Sequence, residues 1–228
     1  AKYIGTKEAV FVNSGSSAIL VAIQTLLETG KISKGDKVVV PALAWATDLS
    51  PVVQLGLEPV LCDCNLEDLS IDLDHFETLC KTSDIKVLLF VSVLGLVPDM
   101  KEDTCESFGS KFSGKTLGTY GVFSMFSTYF GHHLSTIEGG LLCTNDSYLA
   151  QTARCVRNHG WDRDLPDAKR IQMRNKWNIS EFNSLYTFYF HGFNVRSTDL
   201  QAFIGIDQLD KADEINIQRE KNFLIYQN

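Results

Sequence analysis

The chain has 228 residues, enough to bury a sizeable core in one large or two small domains. Hydrophobic residues make up 44% and aromatics 11%, an ordinary globular balance. The formal net charge of −7 comes without any long basic run, which argues against nucleic acid or an anionic membrane surface as a partner.

No apolar run approaches the roughly 20 residues that span a bilayer, and no leader-like segment follows Ala1. The six cysteines sit within apolar stretches and do not frame loops. A reduced, cytoplasmic protein is therefore expected. Cys62-x-Cys64 could be a metal fragment, but no metal site is expected there.

In chain order, Ala9 to Val12 is strand-like. Ser16 to Glu28 carries a helical apolar pattern that Gly30 closes. Lys37 to Val40 is a strand ending at Pro41, Thr47 to Leu55 a short helix ending at Gly56, and Pro59 to Cys62 the next strand. Asp72 to Cys80 is helical, and Ile85 to Val93 (IKVLLFVSV) is a strongly apolar strand. Gly121 to Phe126 and Gly140 to Cys143 are short strands, followed by a helix over Asp146 to Arg157 with Asp146 as its N-cap. Residues 161–190 read as irregular, and Thr198 to Leu209 as a helix leading into another at 212–226. Strands alternating with helices predict an α/β fold with a mostly parallel sheet. One step is missing. Only Leu94 to Glu102 follows the 85–93 strand before Asp103, too little for a crossover helix and a further strand.

Several segments carry residue types suited to chemistry. Asn13-Ser14-Gly15-Ser16-Ser17 follows a strand and opens a helix. A helix N-terminus with a glycine suits a phosphate, and a plain serine cap explains the segment equally well. Trp45 lies just past a strand end, where parallel sheets bind ligands; it can stack on a flat cofactor or belong to the core. Asp103 can hold a pyridine nitrogen protonated or belong to a surface acidic cluster. His132 and His133 sit between two short strands, ahead of Glu138-Gly139-Gly140. A histidine there is a candidate proton carrier, or a loop residue with no role.

Together these segments resemble the DegT/DnrJ/EryC1/StrS sugar aminotransferase family of fold type I pyridoxal-phosphate enzymes. Its sugar-nucleotide dehydratases are included in that resemblance. It is carried by NSGSSA, KGDKVVVPALAW, VLCDCNLEDLSID, EDTCES, FSTYFGHHLSTIEGG, RNHG at 157–160 and GFNVR…IGIDQL at 192–209, all in the family's order. The resemblance implies a large domain with a mixed, mostly parallel sheet flanked by helices over 1–210, internally shortened near 100–102. It also implies that 211–228 begin the link to a C-terminal small domain.

Most such enzymes hold the cofactor covalently through a lysine ahead of E-G-G. Counting back from Glu138, that position is His132, and no lysine lies between Lys115 and Lys169. The resemblance then implies the family's histidine-containing 3-dehydratase subgroup. In that subgroup the cofactor, as pyridoxal or pyridoxamine 5′-phosphate, is held noncovalently, glutamate is the amino donor, and the C3 hydroxyl of a 4-keto-6-deoxy nucleotide sugar is removed. His132 would be the base. Gly15, Ser16, Ser17 and Ser127 would hold the phosphate, Trp45 would stack on the ring, Asp103 would face its nitrogen, and Glu106 would lie nearby. Asn194 would reach the phosphate of the other subunit, which implies a homodimer. His133 matches a subgroup residue. Such enzymes serve deoxysugar and lipopolysaccharide biosynthesis. A branch with an iron–sulfur cluster is disfavoured because no cysteine follows Cys155. The alternatives are an ordinary sugar aminotransferase and an inactive fragment of such an enzyme.

Overall fold

The computed structural model describes residues 1–67, 69–91, 111–112, 115–116, 118–119 and 121–226. Asp103, Glu106 and the shortened stretch at 100–102 lie outside the described residues.

Strand β1 (Glu8–Val12) leads through a tight turn into helix α1 (Gly15–Glu28). Ser14 caps α1 by accepting the Ser17 backbone N–H on its Oγ at 3.0 Å. Gly30, at φ +69°, ends it as expected. Strand β2 (Lys37–Pro41), helix α2 (Ala46–Gln54) and strand β3 (Glu58–Cys62) follow. Then come helix α3 (Leu73–Thr82) and strand β4 (Ile85–Leu88). Among the described residues of the apolar run at 85–93, the strand covers Ile85–Leu88, and Leu89 donates its N–H to the Val39 carbonyl at 2.9 Å. A two-residue ribbon, β5 (Lys111–Phe112) with β6 (Lys115–Thr116), precedes strands β7 (Ser124–Ser127) and β8 (Gly140–Thr144).

β3, β2 and β4 pair in parallel with β2 in the centre. Val38, Val39 and Val40 of β2 are buried on both faces, which is why its sequence is a continuous apolar run without alternation. β1, β8 and β7 form a second group in which β8 runs antiparallel to both neighbours. The sheet structure is mixed, and among the described residues of these two groups every antiparallel pairing passes through β8.

One apolar cluster joins the two groups. Val10 and Val12 of β1, Val38 and Val40 of β2, Met125 of β7 and Leu142 of β8 pack with the buried face of α1 and with helix α4 (Ser147–Arg157). Opposite faces of the same strands bury Val39 and Cys62 near α3, and Phe126 and Cys143 near the last helix. The result is strands sandwiched between two helical layers. Cys62, the last residue of β3, is buried, and Cys64, beyond the strand end, is half-buried.

The segment at 161–190 is more ordered than its sequence suggests. It contains helix α5 (Asp167–Lys176) and the single turn α6 (Glu181–Ser184). α5 buries none of its residues, so it shows no apolar stripe for a sequence reading to find. The two helices expected at 198–226 are one continuous helix, α7 (Asp199–Tyr226). Among the described residues no helix is long and apolar enough to cross a membrane, and no cluster of three or more metal-ligating side chains occurs.

Candidate active site

The N-termini of α1 and α2 converge on one cavity of about 690 Å³. Ser14, Gly15 and Ser16 contribute the α1 end; Trp45, Thr47 and Asp48 contribute the α2 end. The Ser16 hydroxyl donates to the Thr47 hydroxyl at 2.9 Å and ties the two ends together. Each helix start projects free N–H groups and partial positive charge, so the site favours an anion.

Gly15 is in contact with β7. A Cβ built there would lie 2.7 Å from the Ser127 Cβ, so only glycine lets the helix start and the strand end meet. Ser127 lines the cavity, and its Oγ accepts the Tyr129 N–H at 3.3 Å. Gly140, at the start of β8, is packed as tightly: a Cβ there would collide with the Ser14 carbonyl. The glycines of E-G-G and N-S-G-S-S therefore serve one junction.

Trp45 is 76% exposed, which overturns its reading as a core residue; its ring forms part of the cavity wall. Its N–H donates to Asp48 Oδ2 at 2.9 Å. Asp48 is only 5% exposed, so the α2 start is held by a buried carboxylate.

His132 lies on the loop between β7 and β8 and lines the same cavity, with Tyr129 and Glu138. Its backbone N–H donates to the Tyr129 carbonyl at 3.0 Å, and the two rings meet edge to face with centroids 5.9 Å apart. Ile137 adopts φ +69°, a conformation costly for a β-branched residue, and Glu138 follows it. His133 is half-buried; burial first, then the positive charge of Arg219 and the neighbouring His132, pushes its pKa below the usual histidine range.

Of the residues singled out from sequence, Gly15, Ser16, Trp45, Ser127 and His132 come together at this cavity. Ser17 does not line it; its N–H and Oγ are engaged with the Ser14 hydroxyl in the cap. Asn194 is exposed, away from the cavity wall, and accepts from Arg196 Nε at 3.3 Å. Sequence reasoning missed Ser14, Thr47, Asp48, Tyr129 and Glu138. Ser14 had a signal, since an N-cap serine sits beside any anion at that helix end.

This arrangement joins two helix N-termini, an aromatic wall and an imidazole, on the fold of the pyridoxal-phosphate aminotransferases. A solved Escherichia coli GDP-4-keto-6-deoxy-D-mannose 3-dehydratase with bound hydrated pyridoxal phosphate superposes with TM-score 0.81 and is 35% identical, covering 93% of this chain and 58% of that one. A GDP-4-keto-6-deoxymannose 3-dehydratase structure with a trapped pyridoxal-phosphate–glutamate geminal diamine also gives 0.81, at 34% identity and the same coverage. The sequence profile of the DegT/DnrJ/EryC1/StrS aminotransferase family matches residues 1–228, and the chain belongs to that family. The GDP-4-keto-6-deoxy-D-mannose 3-dehydratase of Yersinia pseudotuberculosis is 37% identical over 242 residues, covering 99% of this chain and 61% of the relative. The chain thus spans about three fifths of the length of the relatives it matches.

Proposed function

We propose that this chain is the cofactor-holding part of a pyridoxal-phosphate-dependent nucleotide-sugar 3-dehydratase. Its substrate would be a GDP-linked 4-keto-6-deoxy sugar, and glutamate its amino donor. The observation that carries the reading is His132 lining the cavity at the helix N-termini, in a loop that offers no lysine. A lysine-free loop argues against the covalent tether on which a sugar aminotransferase of this family relies.

The residues present fit the cofactor. The bare Gly15 and the N-termini of α1 and α2 suit a phosphate, with the hydroxyls of Ser16 and Ser127 beside it. The exposed indole of Trp45 offers a face for a flat ring. Bound there, pyridoxal phosphate supplies an electron sink that stabilises negative charge developing on the attached sugar carbons. An imidazole nitrogen of His132 takes up and returns the proton. Tyr129 packs edge-on against that ring and limits its rotation. Asp103 as partner of the ring nitrogen, Glu106 beside it and Asn194 as a contact across a homodimer remain part of the proposal.

The test is direct. The chain is incubated with pyridoxal phosphate, glutamate and GDP-4-keto-6-deoxymannose, and the products are read by mass spectrometry. A nucleotide sugar lacking the C3 hydroxyl, with 2-oxoglutarate formed from glutamate, is expected. An amino sugar, or a borohydride-fixed adduct on a lysine, overturns the reading. Binding of the cofactor with no turnover would leave a binding-only chain.

A further inference from the structure

His132 sits midway along the loop from Thr128 to Thr136, and neither threonine lines the cavity. Thr128 is fully buried and Thr136 is 2% exposed. Their Oγ1 atoms lie 2.6 Å apart, and the Thr136 N–H donates to the Thr128 carbonyl at 2.9 Å. The Thr136 hydroxyl also reaches the Glu138 carbonyl at 2.9 Å, and the Thr128 N–H donates to the Gly139 carbonyl at 2.9 Å. Gly139 fits between them only because it has no side chain; a Cβ would strike both hydroxyls. From outside, α7 closes on the same point. Gln201 Nε2 donates to the Glu138 carbonyl at 2.6 Å, and Gly205 packs on the Thr136 methyl so closely that a Cβ there would sit 2.9 Å from it.

We infer that Thr128 and Thr136 are positioning residues whose hydroxyl pair fixes the neck of the loop and thereby sets the place of the His132 imidazole. The inference rests on the reading of His132 as the proton carrier. The Thr136 hydroxyl, donating to the Glu138 carbonyl, can accept from Thr128, so removing it leaves the buried Thr128 hydroxyl with an unmet hydrogen bond. The neck therefore has one closed arrangement, and the tip that carries His132 inherits it. A shift of about 1 Å at a reacting group can cost about 100-fold in rate, so a neck that fixes the loop matters to the chemistry.

The experiment uses the full chain with Thr136→Val, Thr136→Ser and the double change Thr128→Val/Thr136→Val, which removes both hydroxyls while keeping shape. The first readout is the His132 ring resonance in ¹H–¹³C spectra, assigned with His132→Asn. The second is the Kd for pyridoxal phosphate by absorbance titration. The third is turnover, where the parent chain shows it. Thr136→Val is expected to shift and broaden the His132 signal, to change the cofactor Kd by less than about twofold and to lower kcat by about tenfold or more at unchanged KM. Thr136→Ser is expected to restore the parent signal and rate. An unchanged His132 resonance in both valine variants overturns the inference. So does a loss of cofactor affinity as large as the loss of kcat, because that marks a merely structural pair. If Thr136→Val does not fold, the double variant decides by the same readouts. If the parent chain shows no dehydration, the proposed function fails, and the resonance still decides whether the pair positions His132.

Discussion

Two cavities of similar size lie at opposite ends of the β1–β8 pair. One, of about 690 Å³, opens at the Val12 and Gly140 end, beside His132. The other, of about 620 Å³, opens at the Glu8 and Thr144 end and is lined by Arg154, Arg163, Asp164 and Lys169 among others. The second has more formal charge, yet much of it is already committed. Arg154 pairs with Glu8 at 2.8 Å. Asp164 pairs with Arg157 at 2.6 Å, and Arg163 lies 3.7 Å over the Trp161 ring while donating to the Leu185 carbonyl. The first cavity instead collects helix N-termini, an exposed indole and an imidazole. Volume and charge alone do not separate the two; they differ in how far the lining side chains are already committed to partners.

That contrast can be broken at several points. The largest effect is expected from His132→Asn, which should lower dehydration by about 10²–10⁴-fold while pyridoxal phosphate still binds within a few-fold of the parent affinity. A loss of affinity equal to the loss of rate would make His132 a binding residue. Next is Gly140→Ala. Its new Cβ meets the Ser14 carbonyl, so a destabilisation of about 1–3 kcal/mol is expected in urea unfolding, together with weaker cofactor binding.

At the other end of the sheet, Arg154→Met removes a partly exposed ion pair. It should cost about 1 kcal/mol or less and leave the cofactor Kd unchanged. A marked loss of cofactor affinity in this variant would show that the second cavity is linked to the first. Ile137→Asn relieves a left-handed backbone at a surface position and should raise stability by about 0.5–1 kcal/mol, read from the unfolding midpoint.

The smallest effect concerns pH. The folded pKa of His133 is lowered, so between that value and the unfolded value near 6.5 the unfolded chain binds more protons. Stability therefore falls as pH drops through this window and levels off below the folded pKa. The difference in stability between parent and His133→Gln should change across the window and be flat above pH 7, as measured by melts at a series of pH values.

The sequence made part of this site legible and concealed the rest for physical reasons. His132 could be placed by counting from Glu138, because the glycines that follow are fixed by a backbone junction that tolerates no side chain. The helix start at Ser14 to Ser17 was visible as a cap, but which serine faces the cavity and which serves the cap depends on rotation about the helix axis. Trp45 was ambiguous, since a strand end can bury an indole or display it. The threonine pair left no pattern, because it spans a loop with no repeating period. The fold was read most easily where burial imposes periodicity, as in α1 and α4, and least easily in α5, whose residues are all partly or fully open to solvent.

Helix α7 has a mechanical consequence. It runs 28 residues, about 42 Å at 1.5 Å per residue. It is pinned by Gln201 to the Glu138 carbonyl, and again by Asp213, which accepts the Tyr3 hydroxyl at 2.7 Å. Between the pins Ala212 packs under Leu134, with Leu209 beside it. The second pin lies about 18 Å further along, so the two contacts together resist rotation of the helix about either one. The histidine loop is thereby insulated from motion at the far end of the helix.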